Sequence, residues 1–495
     1  MADISISSAQ LSLRIFGVRL RLPINYQKYL SLELNGDPSI TYNMRNLHHG
    51  ELPTTVAMIP FGREMRQAHF NFASSYVPLN HGSFGAFPSC VREYQRRLQD
   101  ETEARPDTFV RFTYPRLLQE AREAVAPLLC AETDEVVFVP NTLTAINTVL
   151  RNLTYRNGDV ILYFSTIYDA CLKTIQSLEE TTEVRGHGIE LIYPVEDEDI
   201  IDRFHKAILE IRSQGRSVKL AMFDTVLTFP GVRFPWEHLV PICREHGILS
   251  CIDGAHGIGH LDLRHLPHIG PDFFISNCYK WLMVPRGCAI LYVPYRNQAL
   301  IRTTYPTAEG FEPVSQRELL SQKSYFVNLF EKVSTIDTTP YICVIEALRF
   351  RDQICGGEER VRDYCINIAK EGGELMATIM GTEVLDNRTG TLRDCCFTNV
   401  RLPLEVAELQ EGMHADRVPA ADAKAVADWI TIRSVEEFDT FIATRYYAGA
   451  FWTRLSSQIY LDLRDFEWAA MVLLDLCARV RKRYTRHRPE ARISF

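Results

Sequence analysis

From Val136 to Val293 the chain repeats one pattern, an apolar run of β type followed by a helical or polar stretch. The runs are VVFV, DVILYF, IELIYP, VKLAMFDTV, ILSCID, DFFIS and CAILYVP. They are continuously apolar rather than alternating, which is the mark of strands covered on both faces. An α/β fold follows, with a mostly parallel seven-stranded sheet flanked by helices. After about Pro340 the pattern changes. A helix is predicted over Tyr341 to Arg351, strands near Cys396 to Leu402 and Thr453 to Leu461, and a closing amphipathic helix over Asp465 to Arg483. This reads as a smaller α+β C-terminal domain, residues 336–495, with a surface insertion near 403–428, set beside a large domain, 111–335. An N-terminal arm, 58–110, precedes them.

Residues 1–57 fit neither domain. Met1 to Pro23 carries Arg14, Arg19 and Arg21 against one acid, Asp3, a faint transit-peptide pattern. The reading adopted is a disordered extension. At 495 residues and 46% hydrophobic, the chain can bury cores for one large and one small domain. A net charge of -8 with both signs scattered offers no basic stripe for nucleic acid and no polybasic membrane segment. No apolar run reaches the length of about 20 residues that a span requires. The 13 cysteines form no CxxC pair, so reduced thiols, a cytoplasmic location and no metal site are expected.

Three segments carry candidate chemistry at strand ends, where an open α/β sheet places its ligands. ILSCIDGAHGIG delivers Asp253 at a carboxyl end, with His256 three residues on. DFFISNCYKWLMVPRG ends a strand in Lys280 among aromatic and apolar neighbours, which lower an amine's pKa and make it nucleophilic. EVVFVPNTLTAINTVL turns at Pro140 and Asn141 into a helix opening with Thr142, Leu143 and Thr144, a seat for phosphate. Each is weak alone; a lone strand-end lysine is usually a solvated charge. Together, an anion seat, a carboxylate and a buried amine match the phosphate, pyridine nitrogen and aldehyde of pyridoxal 5'-phosphate.

Eight segments in register extend the case: LNHGSFG (79–85), EARP (103–106), FSTIYDAC (164–171), PGVRFP (230–235), DGAHGIG (253–259), SNCYKW (276–281), PRGCA (285–289) and RLSSQIYL (454–461). In these the chain resembles the class V aminotransferase family of fold-type I pyridoxal-phosphate enzymes over roughly residues 59–483. The likeness is greatest to hercynylcysteine sulfoxide lyase and isopenicillin N epimerase-like members. The resemblance implies that Lys280 carries the cofactor as a Schiff base and shuttles the Cα proton. It also implies that Asp253 pairs with the ring nitrogen, that Tyr168 flanks the ring and that His256 touches ring or substrate. Thr142, Leu143, Thr144 and Asn277 would hold the phosphate, with Thr335 donated across a homodimer interface. Arg454 would clamp the substrate carboxylate, with Asn80 and His81 lining the same pocket. Two positions depart from the family pattern, Tyr279 where relatives have His and Leu143 where Thr is common.

The reactions open to such an enzyme begin alike and diverge once a Cα bond is broken. The leading expectation is a lyase that expels a sulfur substituent from the β-carbon of an amino acid, in sulfur or secondary metabolism. Epimerisation, transamination and carbon-carbon bond formation or cyclisation in a fungal pathway are the alternatives, and a non-catalytic cofactor-binding scaffold is the contrasting class.

Overall fold

The computed structural model describes residues 4–7, 10–15, 18–21, 59–308, 310–319, 324–331, 333, 335–407 and 417–486. Contacts divide the chain into two compact units, Met1–Ala57 and Met58–Phe495. In the first, β1 (Ile4–Ser7), β2 (Gln10–Ile15) and β3 (Val18–Arg21) pair as an antiparallel meander. Sequence reading expected disorder there and gave these residues no strands; the short Ser/Arg-interrupted runs alternate too weakly to announce a sheet.

The second unit opens with an arm carrying α1 (His81–Phe84) and α2 (Ser89–Ala104), followed by α3 (Tyr114–Val125). Strand and helix then alternate: β4 (Val136–Val139), α4 (Thr142–Asn152), β5 (Asp159–Phe164), α5 (Asp169–Glu179), β6 (Arg185–Ile189), α6 (Asp197–Ser213). They continue through β7 (Ser217–Asp224), α7 (Trp236–Glu245), β8 (Leu249–Asp253), β9 (Phe273–Asn277), α8 (Cys278–Trp281) and β10 (Ala289–Tyr292). The strand order is β4-β10-β9-β8-β7-β5-β6, and only β10 runs against its neighbours. The seven-stranded, mostly parallel sheet is therefore as predicted. Its continuous apolar runs sort residue by residue onto two faces: Val136 and Phe138 of β4 enter one core, Val137 and Val139 the other. At roughly 25 cal/mol per Å² of apolar area removed from water, this double burial is the main force holding the sheet.

One strand lies elsewhere than expected. The IELIYP run is not the strand; β6 ends at Ile189, where that run begins. As the sheet's edge, β6 is half exposed and needs little apolar character, whereas Leu191 and Tyr193 are buried as a loop beneath the sheet. Burial, not pairing, explains their hydrophobicity.

The C-terminal part contains α9 (Glu358–Met380), β11 (Phe397–Arg401), β12 (Val406–Ala407), β13 (Val418–Pro419), α10 (Ala423–Phe438), β14 (Ala443–Tyr447), β15 (Ala450–Ser456) and α11 (Leu463–Arg486). An antiparallel sheet, β11-β15-β14, lies at its centre. The expected helix over 341–351 is broken into Thr339–Ile342, Val344–Arg349 and a π-turn, Phe350–Ile354. The strand expected over 453–461 stops at Ser456, and Ser457 to Leu461 continue as buried loop. The supposed insertion at 403–428 is partly core, since α10 buries Ala423, Val426, Ala427 and Ile430; residues 408–416 lie outside the described residues. The stretch after 351, for which no element was predicted, forms α9, whose buried stripe includes Val361, Cys365, Ile368 and Met376. Met65, Phe70 and Leu79 of the arm pack into this C-terminal core.

Candidate functional site

All strands but β10 point their carboxyl ends to one edge of the sheet, and the predicted residues converge there. Thr142 and Asn277 lock together: the Thr142 N–H donates to Asn277 Oδ1 at 3.1 Å and Asn277 Nδ2 donates to Thr142 Oγ1 at 3.2 Å. Asn141 caps α4, its Oδ1 accepting from the Thr144 N–H at 2.9 Å and the Thr144 hydroxyl at 3.1 Å. With those groups taken, the Leu143 N–H is the first-turn donor with no partner among the described residues. The Leu143 side chain is exposed. Tyr168 is half exposed at the start of α5, beside Tyr279.

Asp253, at the end of β8, is 4% exposed. Its Oδ1 accepts from the Ala255 N–H at 3.0 Å and its Oδ2 from the Cys171 thiol at 3.5 Å. Sequence reasoning missed its neighbour. Asp224 ends β7 in direct register with Asp253, is equally buried, and has no hydrogen-bond donor among the described residues. Two adjacent buried carboxylates resist joint ionisation. Burial first, then Asp253, pushes Asp224 well up, while donors and the Lys280 charge counteract the burial of Asp253. Both carboxyls are raised above the ordinary range, because burial outweighs the donors of Asp253 as well, so the close pair disfavours a second negative charge. The aspartate itself was visible, because VKLAMFDTV carries Asp224 just after its apolar run as ILSCID carries Asp253, but its place beside Asp253 was not.

Lys280 lies on α8 with its ammonium desolvated, which lowers its pKa to about 8 against the opposing pull of Asp253. Its Nζ is 3.3 Å from His256 Nε2, and the Trp281 indole donates to His256 Nδ1 at 3.1 Å. Burial, then the nearby lysine and arginine charges, holds His256 neutral. His81 is also neutral, lowered to about 3 by burial. Both its nitrogens are engaged, by the Tyr460 hydroxyl at 2.6 Å and by Gln458 Nε2 at 3.1 Å, so it buttresses the site instead of offering a free nitrogen to a ligand.

Arg454 descends from β15 and is 5% exposed. It donates to the Thr228 carbonyl, to Asn80 Oδ1 at 2.8 Å and to Ser83 Oγ at 3.0 Å, while its Nε has no partner. The guanidinium lies 4.7 Å over the Phe397 ring. No acid pairs with it among the described residues, and burial lowers it to about 10. A buried cation in such a place calls for an anion. Two motif glycines make the assembly possible. Gly85, at φ 66°, would put a Cβ 1.7 Å from the Tyr279 carbonyl oxygen, and a Cβ on Gly231 would lie 2.9 Å from Arg454 Cδ.

Thr335 makes no hydrogen bond to the residues around Lys280 among the described residues. It is an exposed bend between Val333 and Ile336, which line a cavity of about 580 Å³ together with Leu143 and Thr144. No group of metal-ligating side chains occurs among the described residues.

This set fits pyridoxal phosphate: an N–H without a partner among the described residues at a helix start, a buried carboxyl at a neighbouring strand end, and a desolvated lysine between aromatic neighbours. The chain belongs to the class V aminotransferase family (Aminotransferase class-V), whose profile matches residues 110–401. It is an enzyme that works with pyridoxal phosphate. An L-cysteine desulfhydrase-like protein of Epichloe uncinata is 38% identical over 446 residues, covering 86% of this chain and 98% of the relative. The hercynylcysteine sulfoxide lyase of Schizosaccharomyces pombe is 28% identical, covering 84% and 98%. Among solved structures, the cystine C-S lyase C-DES in complex with cysteine persulfide superposes with a TM-score of 0.64 at 15% identity, over 81% of this chain and 97% of that one, a likeness of fold.

Proposed function

We propose that the enzyme is a carbon-sulfur lyase acting on an α-amino acid that bears a sulfur substituent on its β-carbon. The buried, acid-free guanidinium of Arg454 carries this reading: it is a ready partner for the α-carboxylate, held in aim by Asn80 and Ser83. When bound, the cofactor supplies the electron sink that makes the Cα–H bond acidic. Lys280, close to neutrality in pKa, holds the cofactor and moves the Cα proton. Asp253 keeps the ring nitrogen protonated, with Asp224 beside it in register on the next strand. The Leu143 N–H and the Thr142–Asn277 and Asn141–Thr144 pairs seat the phosphate, and Tyr168 flanks the ring.

Release of sulfur, as opposed to its transfer to the protein, is favoured by the thiols. Cys171 is buried and pushed far up by that burial and by Asp253, so no thiolate waits there to accept sulfur. The relatives named for desulfhydrase and lyase activity support the same outcome. We also propose a homodimer, in which Thr335 of one chain reaches the phosphate of the other, and a cytoplasmic location consistent with 13 free cysteines. No helix among the described residues is long and apolar enough to cross a membrane.

The experiment is product analysis by mass spectrometry after offering cysteine conjugates, their sulfoxides and plain amino acids. A 2-oxo acid with ammonia and a released thiol or sulfenate is expected. A racemised, transaminated or cyclised product without sulfur release would replace the lyase reading with one of those reactions.

A further inference from the structure

The Trp281 indole N–H can only donate, and it donates to His256 Nδ1 at 3.1 Å. Its ring is clamped by His260, with centroids 4.3 Å apart, by His81 at 5.1 Å and by Phe397 at 5.3 Å. His260 offers no competing acceptor, because its Nε2 already accepts from the Cys396 N–H at 2.6 Å. His256 Nδ1 must therefore present its lone pair. A neutral imidazole has one N–H, so the hydrogen of His256 is on Nε2, 3.3 Å from Lys280 Nζ. An ammonium has three donors and no acceptor, so two hydrogens would then face each other. A neutral amine has the lone pair that the Nε2–H requires.

We propose that Trp281 is a positioning residue which, by fixing His256 as the Nε2–H tautomer, holds the Lys280 amine in its neutral, nucleophilic form. The inference rests on the reading that Lys280 is the amine that takes up the cofactor. Other groups around the lysine act through charge: Asp253 on β8, Asp224 on β7 and Cys171 on α5 favour the ammonium, and Arg454 on β15 opposes it. Around His256, Lys280, Arg454, His260 and His81 all oppose a charged ring. None of these selects a tautomer; only the indole N–H does. Trp281 thus acts on the chemistry through His256 without facing the substrate itself.

Two measurements on the cofactor-free full-length chain test this. With 15N-labelled histidine, NMR of the parent should find His256 as the Nε2–H tautomer at neutral pH; the Nδ1–H tautomer would overturn the proposal. The rate of pyridoxal phosphate capture, followed by absorbance across pH, reads the neutral fraction of Lys280. In Trp281→Phe, His256 is free to turn its lone pair toward an ammonium, so the midpoint should rise by about one unit. Capture at pH 7 would be roughly tenfold slower, with the same plateau at high pH. Phe is smaller than Trp, so the second variant places benzothienylalanine at 281, which keeps the shape and replaces the N–H with sulfur. It should show the same shift. A purely structural Trp281 would change yield or melting temperature and leave the midpoint where it was, and that result would overturn the inference. Capture by Lys280→Ala with the parent's spectrum would instead remove the underlying reading of Lys280.

Discussion

The proposed role of Arg454 separates an amino-acid enzyme from one that acts on amines. Lysine at that position retains charge but loses the planar fork that grips a carboxylate through two parallel bonds. Loss of a charged hydrogen bond costs about 1.5–3 kcal/mol, so kcat/KM of Arg454→Lys on α-amino acids should fall roughly 10- to 150-fold. The cofactor spectrum should match the parent, because the guanidinium bonds to Thr228, Asn80 and Ser83 and to none of the residues proposed to seat the phosphate; collapse of cofactor binding would assign Arg454 to the fold. The buried histidines yield a second expectation. His81 and His260 are each lowered to about 3, and His256 is lowered too, from an ordinary value near 6.5. Depressed values mean that the unfolded chain binds protons the folded one refuses, so their stability contribution is full above pH 6.5 and lost as pH falls. Each can remove up to about 1.4 kcal/mol per pH unit. Melting temperature should drop steeply from pH 6.5 toward 4, and His81→Gln should flatten part of that slope.

Among the elements, α1 and the turn into α8 depend on Gly85. Its backbone, φ 66° and ψ 169°, lies in a region essentially restricted to glycine, and the Tyr279 carbonyl occupies the space of a side chain. Gly85→Ala should cost at least about 1–3 kcal/mol in backbone strain alone and displace Ser83 and Asn80 from Arg454. The check is KM for the amino acid, which should rise further than the affinity for cofactor changes. Legibility in the sequence follows the same physics. Strands buried on both faces announced themselves, so β4, β5, β7, β8, β9 and β10 were read correctly. β6 was misplaced because an edge strand needs little apolar character and the buried loop after it has much. α9 was hidden by its polar face and its paired glycines. At the site, Lys280 and Asp253 were visible as strand-end residues. The engagement of both His81 nitrogens, the pairing of Asp224 with Asp253 and the Trp281–His256 bond depend on contacts across 25 to 379 residues, which no local pattern records.

For the whole molecule, the proposed homodimer has a specific mark. Leu143 and Ile336 are exposed apolar residues at the cavity of about 580 Å³ beside the proposed phosphate seat, and Thr335 is the exposed residue that precedes Ile336. Sedimentation should give a dimer, and Thr335→Ala should weaken cofactor affinity a few-fold while leaving that dimer intact; a monomer that binds cofactor and turns over substrate would refute it. The two units of the chain also differ in kind, since every residue named for the site belongs to Met58–Phe495.

The bond between Arg454 and Asn80 joins positions 374 residues apart. On a ribosome adding about 5–20 residues per second, Asn80 waits roughly 20 to 75 s for its partner. The groups proposed to seat the cofactor, from Asn141 to Thr335, are all made before then. The expectation is staged maturation, with cofactor loading open to a chain that cannot yet recognise its substrate. In refolding of the full-length chain, the cofactor's absorbance should return ahead of turnover, and simultaneous recovery of the two would mean that the C-terminal strands are needed even to hold the cofactor.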